Sequence, residues 1–524
     1  MTQTCLNTDH MLVHCKLRLN AESPSVVSYS YRDVKNINLD TFRADLAQSK
    51  LFKCSDDLDA DTYAELINHE LRLLMDRHAP IRHKVKRCSK NDCRWLSPEA
   101  RKAKQRRRRL ERRYRRTGKS SDRQAYKAAA AAAHDRIMNS RADSFRGRLA
   151  EAGSDQRAIW RVSNQLLHTR PPTYYSVDDC ARLSSSFGQF FADKLKRIGD
   201  TIAANLTTST TAFASRPYSG PSLDSFSPVT AADVHRLLMK MPAKSSPLDI
   251  LPTSLLKACA DQFAVIVARL ANVSFREGKF PTCFKTAEVL PLLKKTGADR
   301  TNPANFRPIS NLSSISKVLE RLALAQLRPH LLSSVNFCTF QSGYRTGHST
   351  ETALLELLND VFTAGDDRRC TVVVGLDISA AFDTISHQTL LNRLQDEFGL
   401  SSIALDWIRS YLCDRKQYVK IGQHSSGLFD CCSGVPQGSV LGPLLFAAYV
   451  SPVGSVIESF GVRHQQYADD TQMYLSMRPN DSAHGLDVLK SCSMAVREWY
   501  LTNNLLLNAD KSQAIVLGLS LIHI

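Results

Sequence analysis

Nowhere in its 524 residues does the chain hold the roughly 18 to 20 consecutive apolar residues that a membrane-crossing helix needs. Its opening, MTQTCLNTDHML, has no apolar run of the signal-peptide kind. Acid is also in short supply: 51 Asp and Glu face 69 Lys and Arg, a formal charge of +18. Such an excess favours a polyanionic partner, nucleic acid before an anionic membrane surface. The 14 cysteines lack regular spacing, which argues against a disulfide framework and for a reduced intracellular protein. No internal repeat is visible. One series has a metal-like look: His78, His83, Cys88 and Cys93 recur every five residues. Five steps turn a helical side chain by about 140°, so the four do not share a face. Zinc pairs sit about two to four residues apart, and the series is a poor zinc site.

The length allows about two to four domains. The segment DTYAELINHELRLLMDRHAP, residues 61 to 80, has the spacing of an amphipathic helix, and MLVHCKLRL before it is β-like. Twelve Lys or Arg then stand between Arg94 and Arg116 with only two acids, and an alanine-rich stretch of strong helix propensity follows. Like charges one turn apart destabilise a bare helix, so this one calls for an anionic partner. Arg101, Lys102, Arg106, Arg107, Arg108, Arg109, Arg112 and Arg113 are its candidate nucleic-acid contacts. Residues 201–228, rich in Ser, Thr, Ala and Pro, read as a linker or loose connection. Beyond it helices alternate with short β-branched strands.

The chemistry centres on HQQYADDTQMYL, residues 464 to 475, a hairpin pattern with two aspartates at its tip. Neighbours on a strand face opposite ways, but a tip can bring both carboxylates of Asp469 and Asp470 near one point. There they repel and raise each other's pKa unless a cation intervenes, and hard, oxygen-seeking magnesium suits that role. A lone Asp-Asp turn is usually only solvated. A second element changes the balance: CTVVVGLDISAAFDTISH reads as a buried strand ending at Asp377, with a helix starting soon after, near Ala380. Carboxylates so placed suit a two-metal site, and hence phosphoryl or nucleotidyl transfer.

LDISAAFDTISH, GVPQGSVLGPLLFAAYV and YADD, in that order, resemble the palm of a reverse transcriptase. ANFRPISNLSSISKVLERL and QSGYRTGHSTETALLELLND look like its fingers, and LTNNLLLNADKSQAIVLG like the last palm motif. The wording of FRPISNL, GYRTGHSTETAL and GVPQGSVLGPLLF is similar to non-LTR (LINE-type) retrotransposon polymerases, jockey-like ones especially. KSSPLDILPTSLLK resembles their N-terminal extension, without the glycines often found there. The resemblance implies an α/β (α+β) right-hand fold with fingers and palm over 229–518, preceded by a basic, mainly helical connecting region over 21–200. Residues 1–20 look like the end of an endonuclease, with Asp9 and His10 matching its closing pair. Since GLSLIHI follows the last palm motif, the expectation is a chain cut at both ends, with residues 519–524 its end and the thumb absent.

The same resemblance implies an RNA-directed DNA polymerase that uses two Mg2+ ions, with Mn2+ as a substitute. Asp377, Asp469, Asp470 and the carbonyl of Ile378 would be the metal ligands. Arg307 would clamp the triphosphate, with Lys294 or Lys295 assisting. Phe382 would lie under the deoxyribose as a steric gate; otherwise it is a core anchor. Gln437 and Gly438 would lie against the nucleotide, and Lys511 would be a general acid for pyrophosphate departure. Implied partners are an RNA template, a DNA primer or target and dNTPs, in a ribonucleoprotein of nucleus and cytoplasm, with no membrane. The oligomeric state is open. The alternative is a catalytically weak, nucleic-acid-binding remnant.

Overall fold

The computed structural model describes residues 26–55, 57–87, 95–167, 177–206, 216–295 and 297–518. The expectations at Asp9, His10, Cys88, Cys93, Arg94 and 519–524 lie outside them. In chain order, the first elements are β1 (Val26–Arg32), α1 (Leu39–Gln48), α2 (Ala60–His78), β2 (Ile81–Arg87), α3 (Pro98–Thr117), α4 (Ser120–Ala152), α5 (Gln156–Leu167) and α6 (Val177–Asn205). Then come α7 (Ala231–Lys240), α8 (Thr253–Ala258), α9 (Ala260–Glu277), β3 (Thr286–Leu293), β4 (Phe306–Asn311), α10 (Ser314–Ser333), α11 (Thr350–Asp366) and β5 (Cys370–Leu376). The last are α12 (His387–Asp396), α13 (Ser402–Leu412), β6 (Arg415–Ile421), β7 (His424–Ser425), β8 (Phe429–Cys431), α14 (Gly442–Val450), α15 (Val453–Glu458), β9 (Arg463–Tyr467), β10 (Asp470–Met477), α16 (Ser482–Thr502) and β11 (Gln513–Leu517).

Internal contacts gather the chain into two compact units, 1–32 with 81–174 and 33–80 with 175–524. In the first, β1 and β2 pair antiparallel, Val26 with Arg87 through Arg32 with Ile81. Ser97 caps α3 by accepting from the Ala100 amide, with Pro98 at the first helical position. Gly118 at φ +64° ends it, since the left-handed turn a helix stop requires costs glycine least. Only Ala100 and Ala103 of α3 are buried, while Tyr114 stacks on Tyr126 of α4 with ring centres 6.3 Å apart. Most of the arginines are therefore left to solvent, Arg107 being half-buried, with local pairs of Arg113 with Asp122 at 2.9 Å and Arg115 with Glu111 at 2.7 Å.

The second unit takes two pieces of the expected connecting region, 33–80 and 177–205, together with the polymerase motifs. Its core includes α9 and α13, where Trp407, fully buried, meets Phe226, Phe275 and Phe280 edge-on or tilted and donates to Ser274 Oγ at 2.9 Å. Residues 216–228, which composition reads as loose, are pinned. Tyr218 N donates to Asp396 O at 2.8 Å and Leu223 N to Gly399 O at 2.9 Å, and Phe226 enters the core. Few apolar residues suffice to order a segment whose backbone bonds to its neighbours.

Two sheets frame the site. One runs β11-β5-β10-β9; the other runs β4-β3-β6-β7, with β8 also on β6. The run CTVVVGL sits between β11 and β10, with Val372, Val373 and Leu376 buried, as its β-branched composition foretells. The helix expected near Ala380 is not there. Ala380 stands at φ +52°, its carbonyl accepts from Asp383 N and Thr384 N, and α12 begins only at His387, capped by Ser386. A left-handed residue closes a turn and cannot propagate a helix. Alanine's helix propensity loses to that turn.

Candidate active site

The β9–β10 hairpin is as expected: Tyr467 pairs with Asp470, leaving Ala468 and Asp469 as a two-residue tip. On its other side β10 pairs with β5, ending at Thr471 with Leu376. One further step of that register sets Asp470 level with Asp377. The two strand ends thus bring the sequence-predicted carboxylates to one place. Asp470 is exposed, and its pKa is raised by partial desolvation first, then by the like charges of Asp469 and Asp377. Lys511 works the other way on Asp470, and its Nζ lies 3.1 Å from Asp377 Oδ2.

The strand end at Asp377 is tied from a third side. Asn508 N donates to Asp377 O at 2.8 Å and Ser379 N to Leu506 O at 2.8 Å, flanking an isolated bridge between Ile378 and Leu507. In such a bridge the bonds run through the neighbours, so the carbonyl of Ile378 is left out of the ladder. Among the described residues no three Asp, Glu, His or Cys side chains stand close enough together to hold a metal. In donor chemistry alone, Asp377, Asp469 and Asp470 suit a hard dication. Their donors are all oxygen, their charges repel, and the Lys511 ammonium takes a cation's place beside Asp377.

One residue that motif reading missed holds the tip. Ala468 sits at φ +59°, a conformation that costs any residue with a Cβ. Gln341, fully buried, spans it: its Oε1 accepts from Ala468 N at 2.9 Å and its Nε2 donates to Ala468 O at 3.1 Å. Two residues on, a Cβ at Gly343 would come 2.3 Å from Ala468 N, so only glycine allows the approach. The QSG run is therefore a clamp on the Ala468–Asp469 turn. No local pattern in the sequence could signal a bond across 127 residues.

The fingers side carries the cations. Arg307 is exposed on β4, paired across the sheet with Leu292. Lys294 Nζ donates to Ala304 O at 2.8 Å, whereas Lys295 is simply exposed. The pKa of Lys294 is lowered, by desolvation first and then by Lys194, Lys511 and Arg307, so these four cations share one neighbourhood. Gly438, at φ +125°, lies so close to β4 that a Cβ would fall 2.6 Å from Ser310 O, and Gln437 O accepts from Ser310 N at 2.8 Å. The PQG loop is thus braced on FRPIS. Phe382 is half-buried and stacks on Phe446 with ring centres 4.9 Å apart, and its carbonyl accepts from Val435 N. Elsewhere, His78 Nε2 lies 2.8 Å from Asp45, and His83 bonds to Ser30 at 2.9 Å.

Carboxylates meeting at the ends of two paired strands, with the Lys511 ammonium beside them, are the arrangement that the palm resemblance leads one to expect. Residues 293–520 match the family described as reverse transcriptase (RNA-dependent DNA polymerase). The chain is 28% identical over 421 residues to the RNA-directed DNA polymerase from mobile element jockey of Drosophila melanogaster, covering 77% of this chain and 45% of that protein. It is 30% identical over 285 residues to the probable RNA-directed DNA polymerase from transposon BS of the same fly, covering 53% and 31%. To a type-1 retrotransposable element R2 polyprotein of Popillia japonica it is 29% identical over 254 residues, covering 46% and 34%. Residues 293–520 therefore match a reverse transcriptase domain, and the relatives similar to this chain are polymerases of non-LTR mobile elements, jockey among them. The chain spans less than half the length of these curated relatives.

Proposed function

We propose that this chain extends a DNA primer on an RNA template, using dNTPs. The observation that supports this most is the meeting of Asp377 and Asp470, with Asp469 beside them, at adjacent strand ends, with the Lys511 ammonium already paired to Asp377. Two Mg2+ ions (or Mn2+), held by Asp377, Asp469, Asp470 and the Ile378 carbonyl, would supply the charge that activates the primer 3′-hydroxyl and steadies pyrophosphate. Arg307, a permanently charged planar fork, clamps the triphosphate, with Lys294 beside it. Phe382 lies under the sugar and leaves no room for a 2′-hydroxyl. Gln437 and Gly438 shape the nucleotide's floor through their brace on β4. Lys511 orients Asp377 and then donates a proton from Nζ to the departing pyrophosphate.

The test is a primer-extension assay on an RNA template with the four dNTPs. Magnesium-dependent elongation that copies the template, abolished by EDTA, is the expected result. Template–primer binding with no elongation in either Mg2+ or Mn2+ would instead favour a non-catalytic, nucleic-acid-binding role.

A further inference from the structure

Helix α6 precedes the residues that match the reverse transcriptase family, yet it runs along the site. Leu183, Phe187 and Phe191 pack on Val289 and Val419 of the fingers sheet. Further along, Ile198 and Ile202 pack with Leu501 and with Ala380, the residue in the turn after Asp377. The helix therefore bridges fingers and catalytic turn. Lys194 lies three residues after Phe191 and four before Ile198, on the face that makes both contacts. It is half-buried, and the Asp383 carboxyl is the acid that feels its charge.

Lys194 lines a cavity of about 320 Å3 together with Arg197, Lys294, Phe190 and Phe306. Its cationic walls are Lys194, Arg197 and Lys294, and no acid lines it. Arg197 is engaged over the Phe190 ring at 5.6 Å, and Lys194 and Lys294 share the cavity lining, with Lys294 Nζ also donating to Ala304 O. Lys294 in turn feels Lys194, Lys511 and Arg307. Lys194 is half-buried beside exposed Lys294, Arg307 and Lys511, with the Asp383 carboxyl acting on it from the protein side, and an anion joining the four cations would relieve their mutual repulsion. Because Lys511 is also bonded to Asp377, the cluster adjoins the reacting centre, where a nucleotide's β- and γ-phosphates would lie.

Resting on the polymerase reading above, we propose that Lys194 is a triphosphate-binding residue, supplied to the nucleotide subsite by α6 from outside the reverse transcriptase domain. It adds a charge to those of Lys294, Arg307 and Lys511, and it makes α6 part of the active site rather than a connector.

The experiment is steady-state primer extension with the full chain, comparing wild type with Lys194→Gln, Lys194→Arg and Lys196→Ala, alongside template–primer binding. Lys194→Gln keeps the aliphatic stem and loses the charge; it should raise KM for dNTPs about tenfold or more, with kcat and template–primer Kd nearly unchanged. Lys194→Arg should restore most of the affinity. Lys196→Ala removes an equal charge two residues along and should leave KM alone. An unchanged KM in Lys194→Gln, or weakened template–primer binding in its place, overturns the proposal while leaving the polymerase reading intact. If the wild-type chain neither extends a primer nor binds a deoxynucleoside triphosphate, the polymerase reading fails and takes this inference with it.

Discussion

Asp383, one residue past Phe382, shows how a site stores electrostatic strain. Desolvation raises its pKa to about 6, against the pull of Lys194. A carboxyl whose folded pKa exceeds its unfolded value favours folding while protonated, and that contribution is lost as pH rises through the folded value. From 3.8 to about 6 the loss reaches about 3 kcal/mol, complete above pH 7. Asp383→Asn should therefore stabilise the protein relative to wild type at pH 7.5, with the advantage vanishing near pH 4. Urea melts at the two pH values measure it, and an advantage that does not change with pH would refute the assignment. Phe382 has a different double duty, since it stacks on Phe446. Phe382→Val should cost some stability and also narrow the preference for dNTPs over rNTPs more than tenfold, about 1.4 kcal/mol. Lost stability with unchanged sugar selectivity would make it a core residue only.

Among elements, the β9–β10 hairpin depends on a partner far away in sequence. Gln341→Ala removes both bonds to Ala468 and leaves the φ +59° tip without its clamp, so kcat should fall at least tenfold while KM for dNTPs changes little. Ala468→Gly eases that backbone by roughly 1 kcal/mol and should recover part of the loss in the double variant. No recovery would mean that Gln341 acts in some other way. Helix α3 makes a separate prediction. Arg108, Arg109 and Arg112 are exposed, and replacing all three with Gln should flatten the salt dependence of duplex binding by up to about three units of log–log slope. An unchanged slope would remove α3 from the interface.

These elements were legible in the sequence to different depths. The β5 run, the hairpin and α2 follow from local composition and periodicity, and the structure has them where those signals lie. The turn at Ala380 was not legible, because alanine's helix propensity says nothing of a backbone bond pattern set by the β5–β11 surroundings. Nor was Gln341, whose role arises only when two distant loops meet. Lys194 was hidden for a related reason: in sequence it is one lysine in a basic region, and only packing places its helix across the site.

Across the whole molecule, the proposed function assigns the chemistry to the three aspartates and the grip on nucleic acid to the cationic surfaces. An Asp469→Asn change removes a ligand charge and almost no volume, so it separates the two. The direct measurement is single-turnover primer extension on RNA, paired with template–primer Kd at one salt concentration, for wild type and Asp469→Asn. Extension should disappear in the variant while Kd stays within about twofold of wild type. Extension at the wild-type rate in magnesium would contradict the account.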